Sequence, residues 1–346
     1  MDLKVVLITG CSSGIGLSLA VHLASDPSKT YKVYASMRNM DKKQRLLECV
    51  SGHHKDTLVI LQMDVTDQQS IHRAKDSITE GRVDILVCNA GIGLMGPLEA
   101  QSEDVMRGIL EVNLLGTIRT IQTFLPDMKR RKSGRLLVTG SMGGLHGLPF
   151  NELYCASKFA VEGVCESLAI LLHLFSGPSS VSLIECGPVN TDFLVNLQRV
   201  EPRDSSLVEV DDHTLHLYEM YLQHCSSVFQ NAAQDTEDIV QVYLEAIQSP
   251  RPFLRYYTNH GLLPISTPDG SQYITAMSKI IFSSTTGGLC RFVCIFWSWC
   301  AVLRVGSSGA GLNRGAAEAD DVYFLICQLC MAFGVTNQKI NGMFTV

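Results

Sequence analysis

The chain has 346 residues, with 28 Lys and Arg against 34 Asp and Glu and a formal net charge of -6. That length fits one α/β unit of about 250 residues plus a tail. The acidic balance, with no basic run beyond Lys129-Arg130-Arg131-Lys132, argues against nucleic acid as the main partner.

Twelve cysteines are present, but the chain opens Met-Asp-Leu-Lys directly before an apolar run, with no signal-peptide pattern. Reduced thiols in a cytoplasmic protein are expected. Cys327 and Cys330 have no second matching pair, so no metal site is expected.

In chain order, short apolar and β-branched runs at Val5–Ile8, Val33–Ala35, Leu58–Leu61, Ile85–Val87, Leu136–Val138 and Val181–Ile184 alternate with longer helical patterns. Such runs predict parallel strands buried on both faces, hence a doubly wound α/β sheet of the Rossmann type. Two long helices are expected, around Asp104 to Phe124 and Leu153 to Leu174. From Pro188 the alternation lapses into a polar loop followed by a helix from Asp212 to Phe229, which places His213, Leu217, Met220 and His224 on one stripe. That stripe reads either as core packing or as one wall of a substrate cleft. Residues 1–285 are assigned to the α/β domain, with 189–231 as its substrate lid. The tail 286–346 holds two apolar stretches, Leu289–Val305 and Val322–Val335, around a Gly/Ser-rich segment. Neither reaches the ~18 to 20 uninterrupted residues of a spanning helix. The tail is therefore an interfacial or buried segment, or else unstructured.

The first strand runs into Thr9-Gly10-Cys11-Ser12-Ser13-Gly14-Ile15-Gly16 and then a helical pattern. Glycines let a pyrophosphate approach the backbone, and the helix N-terminus offers free N–H groups and partial positive charge. NAD-type sites usually carry an acid at the end of the second strand. Here that strand ends Ala35-Ser36-Met37-Arg38. Arg38 suits a 2′-phosphate and a carboxylate is missing, so the cofactor is expected to be NADP(H), with Ser12 a further donor. Asp64 and Val65, past the third strand, are placed to meet the adenine. Asn89, Ala90 and Gly91, past the fourth, are placed to pack against the cofactor.

Tyr154 and Lys158 are four apart, so on a helix they share a face. Reducing a carbonyl needs a hydride and a proton, and a free tyrosine has a pKa of about 10. A neighbouring ammonium lowers it, which assigns Tyr154 as the acid/base and Lys158 as the group that tunes it and binds the nicotinamide ribose. Ser141, just past the fifth strand, would orient the substrate oxygen. Asn113 would hold a water or backbone group linking Lys158 to solvent.

These separated motifs, in this order, make the chain resemble the short-chain dehydrogenase/reductase family. The strings Gly10–Gly16, Leu148–Phe159 and Ile184–Val189 are similar to its 17-beta-hydroxysteroid dehydrogenase branch, with photoreceptor-type retinol dehydrogenases as a sister group. The resemblance covers about Leu3 to Phe282. It implies NADPH as cofactor, reduction of estrone to estradiol and a homodimer. It carries cofactor contacts onto Pro188, Val189 and Thr191, and substrate contacts onto Leu148 and His224 beside Ser141 and Tyr154. Two departures from the branch stand out: Ile280 takes the place of a glutamate, and Leu263–Gly270 is shortened. Two other readings stay open. One is reduction of all-trans-retinal, with peripheral membrane association through the tail. The other is an NADPH-binding protein without catalysis.

Overall fold

The structure, a computed structural model, describes residues 3–50, 56–174, 179–192, 198–199 and 210–258. In order these form β1 (Lys4–Ile8), α1 (Gly14–Ala24), β2 (Tyr31–Met37), α2 (Lys43–Cys49), β3 (Leu58–Gln62), α3 (Gln68–Asp76), β4 (Ile85–Cys88), β5 (Leu94–Met95), α4 (Glu103–Leu110), α5 (Thr117–Arg131), β6 (Gly134–Thr139), α6 (Glu152–His173), β7 (Ser179–Glu185), β8 (Gln198–Arg199), α7 (Asp212–Ala232), α8 (Thr236–Gln248) and β9 (Arg255–Tyr257). Seven strands make one parallel sheet in the order β3-β2-β1-β4-β6-β7-β9. The order reverses between β1 and β4, and the clefts of such sheets open at the carboxyl ends of the strands flanking that point.

Period-2 alternation sends each strand's side chains to two different cores. Val6 and Ile8 of β1 join Val33, Val87 and Leu137 against Leu19, Leu23, Ile239, Val240 and Tyr243 of α1 and α8. Val5 and Leu7 face the other way, with Leu86, Leu136 and Val138, onto Ile71, Phe124, Val161 and Cys165 of α3, α5 and α6. All six expected strands form, within a residue or three of their predicted limits. The seventh, β9, was not expected: Arg-Tyr-Tyr carries no apolar run, and it pairs only through three residues of β7. The two-residue pair β5 and β8 is likewise too short to leave a pattern.

The helix expected over Asp104 to Phe124 is interrupted. Between α4 and α5, Glu111–Gly116 forms a π turn, a feature that recurs at functional positions and that a 3.6-residue pattern does not reveal. The basic run at residues 129–132 is used up at the end of α5, where cations complement the helix dipole. Arg130 pairs with Asp127, Arg131 pairs with Asp84, and Lys132 takes the left-handed cap conformation.

The helix expected from Asp212 to Phe229 extends to Ala232. Its buried face is Tyr218 and Tyr221, not the His213 stripe: His213 is exposed, while Leu217, Met220 and His224 are half-buried beside the two tyrosines. Core packing of the stripe is therefore corrected, because the large aromatics one residue away win the buried positions. Ile280, the shortened segment 263–270 and the whole tail lie outside the described residues. Among the described residues no helix is long and apolar enough to cross a membrane.

Asp84 fastens the amino end of the sheet: it accepts from Val5 N at 2.9 Å and from Arg131 Nη1 at 2.9 Å. Asp84→Ala leaves a strand N–H and a guanidinium without their acceptor, and urea denaturation should show a loss of about 2–3 kcal/mol.

Candidate active site

The turn after β1 is built for close backbone approach. Gly10 has φ +73, and a Cβ there would stand 2.8 Å from Ala90 Cα. A Cβ at Gly16 would lie 2.4 Å from Asn89 Nδ2 and 2.5 Å from Gly10 O. Gly14, at φ +60, lies against Thr191, so the loop after β7 forms the opposite lip. The first turn of α1 holds no acidic residue, and its N-cap Ser13 makes no side-chain capping bond. The helix N–H groups thus face the cleft unneutralised, as a pyrophosphate requires.

Asn89 ties this turn to the next two strands. Its Nδ2 donates to Thr9 O (3.0 Å) and Gly10 O (3.2 Å), and its Oδ1 accepts from Thr139 Oγ1 (3.2 Å). The Thr9 hydroxyl accepts from the backbone N–H groups of Asn89 and Ala90, both at 2.9 Å. Cys11 N donates to Ser36 O at 2.8 Å, which draws the Cys11–Ser12 turn to the end of β2, where Arg38 is exposed. Arg45 of α2 pairs with Asp192, next to Thr191. This ion pair, 147 residues apart in the chain, left no sequence signal.

Asp64 closes a turn, its Oδ1 accepting from Thr66 N (2.9 Å) and Thr66 Oγ1 (2.7 Å). The Val65 side chain packs against Gly116 of the π turn. Gly91 places Asn113 Oδ1 3.4 Å from where its Cβ would be. Pro188 O accepts from Gln234 N at 2.9 Å and Asn190 N donates to Gln234 O at 2.8 Å. The Gln234 side chain then grips Thr258 at both ends. Gln234 is the clamp on the Pro188–Thr191 loop, and nothing in its sequence context marked it.

At the end of β6, Ser141 caps the short turn Met142–Gly144, accepting from Gly143 N at 3.1 Å, and its hydroxyl also bonds the Tyr154 phenol. Gly143 and Gly144 admit α6: a Cβ would meet Tyr154 Cε1 at 3.1 Å and Lys158 O at 3.2 Å. Lys158 Nζ donates to Thr139 O at 2.9 Å and lies 5.9 Å from the centre of the Tyr154 ring. Asn113 grips Ile92 from both sides, Oδ1 accepting from Ile92 N and Nδ2 donating to Ile92 O, each at 2.9 Å, and bonds Ser157 Oγ at 3.0 Å. It holds a backbone group; its own carbonyl accepts from Thr117 Oγ1.

The expected direction of the Tyr154 shift needs correction. Burial pushes the phenol above its usual value, with the Ser141 hydroxyl pulling the other way. The Lys158 ammonium is bonded to the Thr139 carbonyl, and burial lowers its own pKa. Desolvation disfavours the charged form and is the largest effect on this phenol.

Leu148 is half-buried on the segment leading into α6. There Phe150, at φ 57, stacks near Tyr218 (5.1 Å) and Tyr221 (5.6 Å), and Asn151 Nδ2 donates to Tyr221 OH at 2.9 Å. Tyr221 in turn stacks on His224 at 6.5 Å. These contacts dock α7 against the Phe150–Asn151 segment that leads into α6, with His224 beside Tyr221.

Together these parts define an α/β oxidoreductase in which Ser141, Tyr154 and Lys158 gather at the strand ends beside the glycine turn. The family model described as short chain dehydrogenase matches residues 4–202, and the chain belongs to that family. It is 53% identical over 293 residues to human 17-beta-hydroxysteroid dehydrogenase type 1, covering 82% of this chain and 87% of the relative. It is 41% identical to human retinol dehydrogenase 8 over 285 residues, 81% of this chain and 90% of that one. Among solved structures, a short chain dehydrogenase/reductase from Burkholderia phymatum in complex with NAD superposes with a TM-score of 0.63 at 23% identity, covering 76% of this chain and 91% of that one.

Gly16→Ala should weaken dinucleotide binding about tenfold or more, since its Cβ overlaps both Asn89 and Gly10. Gly163→Ala, whose Cβ meets nothing within 4 Å, should leave it unchanged. Titration of nicotinamide fluorescence distinguishes the two.

Proposed function

We propose that the chain is an NADPH-dependent reductase of a 17-ketosteroid, converting estrone to estradiol. The observation that carries the chemistry is the meeting of the Ser141 and Tyr154 hydroxyls, with Lys158 beside them, at the strand ends that also hold the glycine turn. The choice of a steroid is supported by the 53% identity to human 17-beta-hydroxysteroid dehydrogenase type 1 over most of both chains. Retinol dehydrogenase 8, at 41%, keeps a retinoid as the competing substrate.

The residues fit the cofactor in three ways. The open N-terminus of α1 and the crowded glycines make a pyrophosphate cradle. The exposed Arg38 just past β2, the absence of a carboxylate at the end of that strand and Ser12 on the adjoining turn support a 2′-phosphate there. Asp64, Val65, Asn89–Gly91 and Pro188–Thr191 line the rest of the path. When bound, the reduced nicotinamide supplies the hydride.

The chain's own residues handle orientation and the proton. Ser141 donates to the ketone oxygen and fixes it as charge develops there. Tyr154, kept protonated by burial, passes its proton to that oxygen. Lys158 holds the nicotinamide ribose and, as the nearest cation, stabilises the phenolate left behind. Leu148 and His224 bound the far end of the cleft. Two such chains are proposed to form the homodimer, in a cytoplasmic protein.

The pH dependence follows from the raised Tyr154 pKa. Reduction uses the phenol, so its kcat should stay flat between about pH 6 and 8 and fall only in strongly alkaline solution. Oxidation of estradiol needs the phenolate and should rise with pH over the same range. Tyr154→Phe should lower kcat about 100-fold or more with NADPH affinity retained. The substrate itself is tested by supplying estrone and all-trans-retinal in parallel and identifying products by mass spectrometry. Estradiol from estrone supports the steroid reading, retinol alone would replace it, and no product from either with NADPH bound would favour a non-catalytic role.

A further inference from the structure

Behind Lys158 lies a buried carboxyl that the reaction just described does not use. Glu185, the last residue of β7, is 4% exposed; no N–H or hydroxyl of the described residues donates to its carboxyl oxygens, and the Glu162 carboxyl lies within bonding reach of it. A buried carboxyl in that position costs far more ionised than neutral. It sits one step along the ladder from the carbonyl that receives Lys158. Thr139 pairs with Ile184 in register, Gly140 N donates to Ile184 O at 2.9 Å, and a Cβ at Gly140 would stand 2.4 Å from Glu185 Oε2. This accounts for the glycine between Thr139 and Ser141, since any side chain there would collide with the carboxyl.

The surrounding charges are unequal. Glu162, 7% exposed, faces Glu185 from α6 and is held by Arg255 of β9 through bonds of 2.7 and 2.9 Å; Arg255 also bonds the half-exposed Glu166 at 2.6 Å. Lys158 and Arg255 are thus two cations against three carboxyls, and Glu185 is the one left over. The other titratable groups around it are the thiols of Cys165 and Cys186 and the phenols of Tyr154, Tyr243 and Tyr257, whose shifts all keep them neutral near pH 7. Burial, a hydrogen bond with the Glu162 carboxyl and the Glu162 charge push the Glu185 carboxyl upward, while Lys158 and Arg255 pull it down less. Its charge in turn acts on Lys158, raising that ammonium's pKa.

We infer that Glu185 is a positioning residue of this reaction: a protonated buried carboxyl, facing Glu162, whose ionisation sets the charge behind Lys158 and through it the Tyr154 proton. The role rests on the Tyr154 and Lys158 assignment above. Below its titration Glu185 is neutral; above it, the new anion holds the Lys158 proton in place.

The test uses the full chain as wild type, Glu185→Gln and Glu185→Asp, with two readouts. Infrared spectroscopy at neutral pH should show a carboxylic C=O band that Glu185→Gln removes, and this needs no turnover. In Glu185→Gln the rate of estradiol oxidation should still rise through neutral pH, but the fall expected in alkaline solution, where Lys158 loses its proton, should come about one unit or more lower, and Glu185→Asp should restore it. No protonated carboxyl at neutral pH, or an unmoved alkaline limb in Glu185→Gln, overturns the inference. If Glu185→Gln does not fold, titrating the band in wild type and Glu162→Gln decides: it should vanish at lower pH in Glu162→Gln, and an identical titration overturns the inference. A band removed by Glu185→Gln in a wild-type protein with no turnover would overturn the catalytic assignment and leave the carboxyl's protonation standing.

Discussion

The Asn89 side chain is the contact on which the site depends. One amide reaches the carbonyls of Thr9 and Gly10 at the end of β1 and the hydroxyl of Thr139 at the end of β6. It thereby fixes three neighbouring strand ends at one depth. Thr139 also bonds the buried Tyr243 hydroxyl at 2.6 Å and receives Lys158 on its carbonyl. The phosphate turn and the acid/base pair, 140 residues apart in sequence, are therefore held to each other through two polar side chains. Such a network tolerates little substitution because its members, fully buried at Thr9 and Tyr243 and half-buried at Asn89, Thr139 and Lys158, are all satisfied.

Around that tie, the dielectric environment divides the work. A tyrosine near water would need a cation to make it a base, whereas desolvation of the half-buried Tyr154 holds its phenol above the usual value. The cation is held one bond away on Thr139, close enough to matter once a negative charge forms and too far to remove the proton beforehand. Burial lowers the Lys158 pKa, and the Glu162 carboxyl of α6 opposes that effect, joined by Glu185 of β7 once it ionises.

The sequence disclosed those parts of the site whose chemistry is local. Gly10, Gly14 and Gly16 are legible because only glycine fits where a Cβ would meet Ala90, Thr191 or Asn89. Tyr154 and Lys158 are legible because helical spacing alone puts them on one face. Contacts made by distant segments were hidden: Gln234 clamping the Pro188 loop, Arg45 reaching Asp192, and Glu185 beneath Gly140. The aromatic docking face of α7, Tyr218 and Tyr221, lies one residue along from the stripe at His213–His224; periodicity gives a stripe but not which of two adjacent stripes is buried. The π turn around Asn113 was missed for a related reason: its extra residue per turn changes the backbone without changing composition. The direction of the Tyr154 shift was misjudged because sequence shows that a lysine is near and not how deeply the phenol lies.

The account centres on direct hydride transfer from a nicotinamide held in the Gly10–Gly16 cradle to a carbonyl carbon held by Ser141 and Tyr154. The most direct measurement is to supply NADPH deuterated at both hydrogens of nicotinamide C4 together with estrone, and to locate the label in the steroid by mass spectrometry. The account predicts estradiol carrying a single deuterium at C17. Estradiol without that label, or label at any other carbon, would contradict it.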